Sequence, residues 1–286
     1  MKTEISNEQI TIPIERGKPS VMIGERCSTV GFKKISEAVK NGNFDVLVEE
    51  AKIQVKAGAK ILDVCVIGKD INEKEILPKA VGLISRNVNV PLAIEYGDPA
   101  ALEEALKVYK GKPLVNSFNG ENEKIEMVLP ILKKYKPAVI VLPIDNEHGI
   151  PRDAETRIKV ADRIINLLVR EGLNREDIIV DCLVTAAATE TEQIKEQFRT
   201  LELIRDELKL NAAAGASNIS FGLPGRKEIN SHYISAAISH GLNVLITDPT
   251  KPELKEAVII GDMLSGNDEF AMNYIQYFRS KGEGKG

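Results

Sequence analysis

Short, nearly unbroken apolar runs recur along the chain, and each is followed by a longer stretch with helical spacing. The runs are Val21 to Glu25, Ile61 to Val66, Pro91 to Tyr96, Leu114 to Asn119, Ala138 to Ile144, Ile178 to Leu183, Leu210 to Ala214 and Val244 to Asp248. Their length and lack of alternation predict strands buried on both faces, as in parallel sheets. The stretches between them predict helices over Ile35 to Ala57, Glu73 to Arg86, Pro99 to Tyr109, Glu123 to Tyr135, Asp153 to Glu171, Glu190 to Leu208, Asn230 to His240 and Pro252 to Leu264. In the first, Ile35, Val39, Val46, Ala51 and Val55 mark one repeating face, and Gly58 is placed to end it. Asp98 before Pro99 predicts a capped helix start. Glu269 to Arg279 predicts an extra helix.

Eight strands, each followed by a helix with no linker between units, is the pattern of an α/β fold closed as a single-domain (β/α)8 TIM barrel. An open doubly wound sheet is the alternative, because periodicity alone does not close a ring. The barrel is assigned to residues 21–279. Residues 1–20 alternate around Ile10, Ile12 and Ile14 and predict a strand or hairpin that caps the domain. Residues 280–286 are polar and glycine-rich and read as a frayed tail.

Composition narrows the class. A chain of 286 residues, 43% apolar, can bury one core of this size. Its net charge of −4 and lack of a basic block speak against a nucleic-acid partner. Cys27, Cys65 and Cys182 lie far apart with no CxxC pair, which speaks against a disulfide framework or structural zinc and for a reducing, cytoplasmic setting. The first residues lack a signal-peptide core, and no apolar run reaches the ~20 residues of a membrane span.

In this barrel class chemistry sits at the C-terminal strand ends. Those ends carry Glu25, Asp63 with Cys65, Glu95, Asn116 with Ser117 and Asn119, Asp145 with Asn146, Asp181, Ser217 with Asn218, and Asp248. Repeated around the barrel, they predict one ring of polar groups. Carboxylates and amides dominate, and burying them costs free energy unless each finds a donor. The pocket should therefore take a ligand rich in N–H groups, such as a neutral heterocycle, and not a phosphate. No GxGxxG spacing is present. Plainer readings exist for several positions: Glu25 pairs with Arg26, Asp63 serves a neighbouring turn, and Asp145 and Asp248 are caps. Asn116 and Asn218 are harder to explain locally. His232 and His240 fall in a helix and His148 in a loop, so no triad can be argued. No metal site is expected.

The motifs resemble those of the methyltetrahydrofolate:corrinoid methyltransferases, the pterin-binding barrels similar to the folate domain of cobalamin-dependent methionine synthase. The resemblance spans almost the whole barrel. It is carried by Ile23-Gly24-Glu25-Arg26-Cys27-Ser28, by Gly58-Ala59-Lys60-Ile61-Leu62-Asp63-Val64 and by Asn116-Ser117. Gly149-Ile150-Pro151 with Asp153 and Arg157, then Asp181, then Gly215-Ala216-Ser217-Asn218-Ile219-Ser220 complete it. Each piece is weak alone, but their order, one per strand, is specific.

The resemblance implies methyl transfer between N5 of tetrahydrofolate and the cobalt of a corrinoid (cobalamin type) carried by a partner protein docking at the barrel mouth. It implies that Glu95, Asn116, Asp181 and Ser217 bind the pterin, and that Asn218 binds it and acts catalytically near N5. It also implies a homodimer. The chain departs from the family pattern at Ser28 and Cys65, where Asn is usual, and at Glu95, where Asp is usual. These departures suggest a divergent branch, serving a demethylase in which methyl-corrinoid methylates tetrahydrofolate. Two alternatives stand beside it. One is a dihydropteroate-synthase-like enzyme, against which Ser217-Asn218 replaces the late-strand lysine of that family. The other is a folate-binding, corrinoid-docking scaffold without turnover.

Overall fold

The computed structural model describes residues 1–282. It begins with an antiparallel hairpin, β1 (Lys2–Ser6) and β2 (Thr11–Glu15). Eight parallel strands then close a ring: β3 (Val21–Ser28), β4 (Ile61–Cys65), β5 (Leu92–Glu95), β6 (Leu114–Gly120), β7 (Ala138–Asp145), β8 (Ile178–Asp181), β9 (Asn211–Gly215) and β10 (Val244–Thr247). β10 pairs with β3 through Val244 and Val21, which shuts the barrel and removes the open-sheet alternative. The helices are α1 (Lys33–Lys40), α2 (Asp45–Ala57), α3 (Glu73–Asn87), α4 (Pro99–Val108), α5 (Asn122–Tyr135), α6 (Ala154–Arg170), α7 (Gln193–Leu203), α8 (Arg226–His240), α9 (Pro252–Leu264) and α10 (Met272–Gly282). The predicted (β/α)8 barrel is the fold observed.

Strand side chains alternate between two cores. Met22, Leu62, Leu92, Ile94, Val115, Val139, Val180 and Leu245 point outward into the layer against the helices. Val21, Ile23, Ile61, Ala93, Leu114, Ala138, Ile140, Ile179, Ala213 and Val244 point inward and fill the barrel. Burying each large inward side chain stabilises by roughly 1.5–3 kcal/mol. Ile5 and Ile14 of the hairpin join this inner cluster and are fully buried, so the hairpin plugs the bottom of the barrel. Asn211 ties the plug in place. Its Nδ2 donates to Thr3 Oγ1 at 2.9 Å and to the Ile14 carbonyl at 3.1 Å, while its Oδ1 accepts from Asn243 at 2.8 Å. With the bottom closed, the barrel opens only at the C-terminal strand ends.

Several boundaries differ from expectation for local reasons. The helix expected over Ile35 to Ala57 is two helices, because Gly42 adopts a φ of 76° in the Asn41–Phe44 turn. Gly58 ends α2 at a φ of 115°, as its position predicted. Asp98 caps α4 by accepting the Ala100 N–H at 2.8 Å. The helix expected to end at Leu208 widens into a π turn over Ile204–Leu208. Helix α8 starts at Arg226, ahead of the expected Asn230. Ser280 to Gly282, expected within a frayed tail, belong to α10, and the rest of that tail lies outside the described residues.

Candidate active site

The alternation that builds the inner core also builds the site. Two residues beyond the core, the inward positions become Glu25 after Ile23, Asp63 after Ile61, Glu95 after Ala93, Asn116 after Leu114 and Asp181 after Ile179. All five line one cavity of about 600 Å³ at the barrel mouth, with Ser28, Ser117, Ser217 and Asn218. That volume suits a small-molecule site. The five residues that the resemblance assigned to the site (Glu95, Asn116, Asp181, Ser217 and Asn218) are therefore brought to one place.

The ring is incomplete. The inward positions of β7 and β10 are Leu142 and Ile246, which put apolar walls into the cavity. Asp145 is directed elsewhere: its carboxylate accepts from the His148 backbone at 2.7 Å and pairs with Arg163. Asn119 bonds Glu121 at 2.8 Å, and Asn146 accepts the Asn122 N–H at 2.7 Å. Asp248 acts as a cap, accepting from Thr250, and also pairs with Arg26 at 3.1 Å. Cys65 is buried and does not line the cavity; burial pushes its thiol well up, which disfavours the nucleophilic thiolate.

Ser217 and Asn218 were expected at the end of a strand. They lie instead on a 3-10 turn, Ala216–Ser220, that follows β9. The turn folds the Asn218 amide back over Gly215. A Cβ at Gly215 would meet Asn218 Nδ2 at 3.0 Å, so glycine lets the amide lie this close, and a side chain there would push it aside by a few tenths of an ångström. Ser217 Oγ donates to Glu25 Oε1 at 3.0 Å. Arg226 braces the turn, donating to the Ser217 carbonyl at 3.0 Å and to Ser220 Oγ at 2.9 Å.

The floor is a buried acid–amide network. Asn116 Nδ2 donates to Asp63 Oδ2 at 3.2 Å, while Asp63 Oδ1 is buried with no donor among the described residues. Burial first, and the Glu95 charge second, drive the Asp63 carboxyl well above its ordinary range. Glu95 is raised as well, chiefly by burial. One proton shared between the two removes both the unpaired acceptor and the repulsion. Asp181 accepts the Leu183 N–H at 2.7 Å, and burial pushes it up to about 6 against the pull of that bond and of Arg157. Arg157 lies fully buried below it, donating to Pro151, Cys182 and Leu183 carbonyls and to Gln193.

Burial also raises Glu25, to about 7. The predicted Glu25–Arg26 pair is not formed. Arg26 is turned outward to Glu50 and Asp248, leaving Glu25 in the cavity.

Sequence reading passed over Glu25 as a site residue and missed the rim residues Val30, Phe32, Phe221 and Arg226. Glu25 could have been found by inward parity from Ile23. Nothing in the local pattern flags Val30 or Phe221, which are loop residues 54% and 50% exposed. Among the described residues, Arg226 is the one cation lining the cavity, and no lysine or histidine does so. Such a cavity presents acceptors on its floor and flat apolar surface on two sides. It can hold a planar heterocycle by its N–H groups.

Residues 25–248 match the family model described as pterin binding enzyme. The chain is 28% identical over 262 residues to the methylcorrinoid:tetrahydrofolate methyltransferase of Eubacterium limosum, covering 91% of this chain and 96% of that protein. It is 30% identical over 261 residues to the methionine synthase of Mycobacterium leprae, covering 86% of this chain but only 22% of that larger protein. Solved dihydropteroate synthases share the fold at low identity. The Vibrio fischeri enzyme aligns with a TM-score of 0.71 at 15% identity, and the Yersinia pestis enzyme bound to a pterine-sulfa conjugate with 0.70 at 16%; each covers 92% of this chain and 98% of its own.

Proposed function

The chain belongs to the family of pterin binding enzymes, and from that premise we propose that it transfers a methyl group between N5 of tetrahydrofolate and the cobalt of a corrinoid carried by a partner protein. The direction we propose is from methyl-corrinoid to tetrahydrofolate, in keeping with the Eubacterium limosum relative. The observation that carries the reading is the acceptor-rich cavity in which the Asn218 side-chain amide, next in sequence to the Ser217 that bonds Glu25, lines the wall with no hydrogen-bond partner among the described residues. The pterin's N–H groups match the Glu95, Asn116 and Asp181 acceptors, and ionised carboxylates there gain the donors that burial denies them. Asn218 and Ser217 face N5.

The chemistry asks little else of the protein. A tertiary amine is a poor leaving group, so N5 must gain hydrogen-bond support as its bond to the methyl breaks. Asn218 supplies a hydrogen bond that sharpens as charge develops. The cobalt is a substrate brought by the partner, and this chain contributes position and field. The corrinoid must approach the open end, where Val30 and Phe221 stand exposed on the rim. Dihydropteroate synthesis expels a pyrophosphate, and a floor of raised carboxyls with no lysine or histidine among the described lining residues opposes that reading.

Mixing the protein with methylcobalamin and tetrahydrofolate, and separately with cob(I)alamin and methyltetrahydrofolate, tests the proposal by cobalt absorbance. Turnover in either mixture is expected. Tetrahydrofolate binding by calorimetry without turnover, even with a corrinoid protein supplied, would make the chain a scaffold; no binding would end the pterin assignment.

A further inference from the structure

Methyl transfer at N5 moves one proton, and the neutral amide of Asn218 cannot store it. We propose that Glu25 stores it and exchanges it with N5 through the hydroxyl of Ser217. This rests on the methyl-transfer reading above and deepens it.

Four features of the backbone and the cavity carry the assignment. First, Glu25 sits in a strand irregularity. Gly24 pairs with Leu62 but Cys27 pairs with Val64, so β3 holds one extra residue at Glu25–Arg26. Alternation from Ile23 already aims Glu25 inward, and the extra residue lets Arg26 and Cys27 both face away from the interior. Here the carboxyl faces the cavity and the guanidinium leaves it for Glu50 and Asp248. Second, the Ser217 hydroxyl donates to Glu25 Oε1 at 3.0 Å, and Ser217 shares its turn with Asn218. Third, β10 separates β3 from β9 in the ring, and its inward residue is Ile246. Among the described residues, β10 contributes only this apolar side chain to the cavity lining between the two strands.

Fourth, the remaining cavity carboxyls are committed elsewhere. Asp63 holds Asn116 and lies beside Glu95 on the β4–β6 side, and Asp181 holds the Leu183 N–H on β8. Glu25 alone is tied to the Ser217–Asn218 turn.

Its titration suits the task. Burial is the main cause raising Glu25 to about 7, with the Asp248 charge adding to it. The Ser217 bond, Arg226 and Arg26 pull it back. Asp63, across β4, feels the Glu25 charge in turn. A donor–acceptor near neutrality serves either direction of transfer.

The bookkeeping closes. When methyl leaves N5, the carbon–nitrogen electron pair stays on nitrogen. Cobalt(I) supplies the pair for the new carbon–cobalt bond and becomes cobalt(III). Ser217 gives its hydroxyl hydrogen to N5 and takes the carboxyl hydrogen of Glu25. In the opposite direction the N5 pair attacks the methyl, and the carbon–cobalt pair returns to give cobalt(I). The N5 hydrogen passes to Ser217 as Ser217 passes its own to the Glu25 carboxylate. One direction needs Glu25 protonated and the other needs it ionised. The pH limbs of the two directions should therefore be opposite through about pH 7.

The test compares wild type with Glu25→Gln and Glu25→Asp, in both directions with free cobalamins, at saturating substrate from pH 5.5 to 8.5. Calorimetry of tetrahydrofolate binding runs alongside. Expected for Glu25→Gln are loss of both limbs, a rate lower by about 10²–10³-fold, and a Kd within about threefold of wild type. Glu25→Asp should keep the limbs. A Glu25→Gln variant that retains the limbs, or loses affinity as much as rate, overturns this assignment while leaving the methyltransferase standing. A wild type that neither binds tetrahydrofolate nor transfers methyl sinks both.

Discussion

Asp181→Asn should stabilise the ligand-free protein at neutral pH while weakening pterin binding. Asp181 is buried, and its carboxyl titrates at about 6 in the fold against an ordinary value of 3.8. A folded-state value above the unfolded one means that the folded protein binds the proton more tightly. Stability is then undiminished below the unfolded value, falls as pH rises from about 4 to 6, and carries the full loss above that. At about 1.4 kcal/mol per tenfold step, ionising Asp181 costs the fold about 3 kcal/mol at pH 7.5. Asparagine keeps an oxygen for the Leu183 N–H, which Asp181 accepts at 2.7 Å, and removes the charge.

The new amide hydrogens lack certain partners, which returns about 1 kcal/mol. Arg157 is not orphaned, since Pro151, Cys182, Leu183 and Gln193 already take its hydrogens. The net gain should be about 2 kcal/mol at pH 7.5, should vanish near about pH 4.5, where the two terms cancel, and should turn into a small loss below that. Urea unfolding of both proteins at pH 7.5, 6 and 4.5 measures it, with equal slopes required for the comparison. Tetrahydrofolate affinity should fall at least about tenfold in the same variant. Destabilisation at pH 7.5, or a gain of the same size at pH 4.5, would refute the claim that burial of an ionised Asp181 is what the fold tolerates for function.

Two further outcomes bear on the turn after β9. Asn218→Ala should lower the methyl-transfer rate by about 10²-fold or more, since it removes a hydrogen bond that strengthens as N5 charge develops. It should weaken tetrahydrofolate binding much less; equal losses measured by stopped-flow and calorimetry would assign Asn218 to binding only. Gly215→Ala should leave the melting temperature unchanged or slightly higher, because Gly215 has an ordinary φ of −74° and alanine fits it. Its methyl group would stand 3.0 Å from Asn218 Nδ2, so the amide must shift by a few tenths of an ångström. Transfer should slow about tenfold for that reason, and an unchanged rate would show that the amide's placement over Gly215 is unimportant.

The barrel was legible because its two cores use one rule. Alternation within each strand sends Ile23, Ile61 and Ile179 inward, and the same parity, carried one step further, sends Glu25, Asp63 and Asp181 into the cavity. What strand-end reading could not do was separate inward from outward groups. Asn119 was grouped with the site by position yet bonds Glu121, whereas the cap reading of Asp145 and Asp248 holds, since each accepts from the turn that follows it and pairs with an arginine. Two kinds of information were absent from the pattern. One is the irregularity after Glu25, which turns Arg26 and Cys27 both away from the barrel interior. The other is the 3-10 turn that carries Ser217 and Asn218, whose conformation depends on tertiary contact with Arg226. Helix breaks at Gly42 and the π turn before Lys209 belong to the same class, being decided by local glycine geometry and packing.

The placement of charge constrains how a folate could lie in this cavity. The floor carries Asp63, Glu95 and Asp181, all raised by burial, and among the described residues lining the cavity the one cation, Arg226, stands at the rim. A carboxylate of the ligand placed there would meet like charge in a low-dielectric setting, a cost of several kcal/mol. The N–H edge of a pterin placed there would instead meet the acceptor oxygens of Glu95, Asn116 and Asp181. At the rim the sign reverses, for Arg226 is exposed beside Phe221, its guanidinium 4.8 Å from that ring's centre. An aromatic ring and an anionic tail both find matching surface there. On the proposed reading, a bound folate would therefore point its ring edge down and its glutamate outward, toward Arg226.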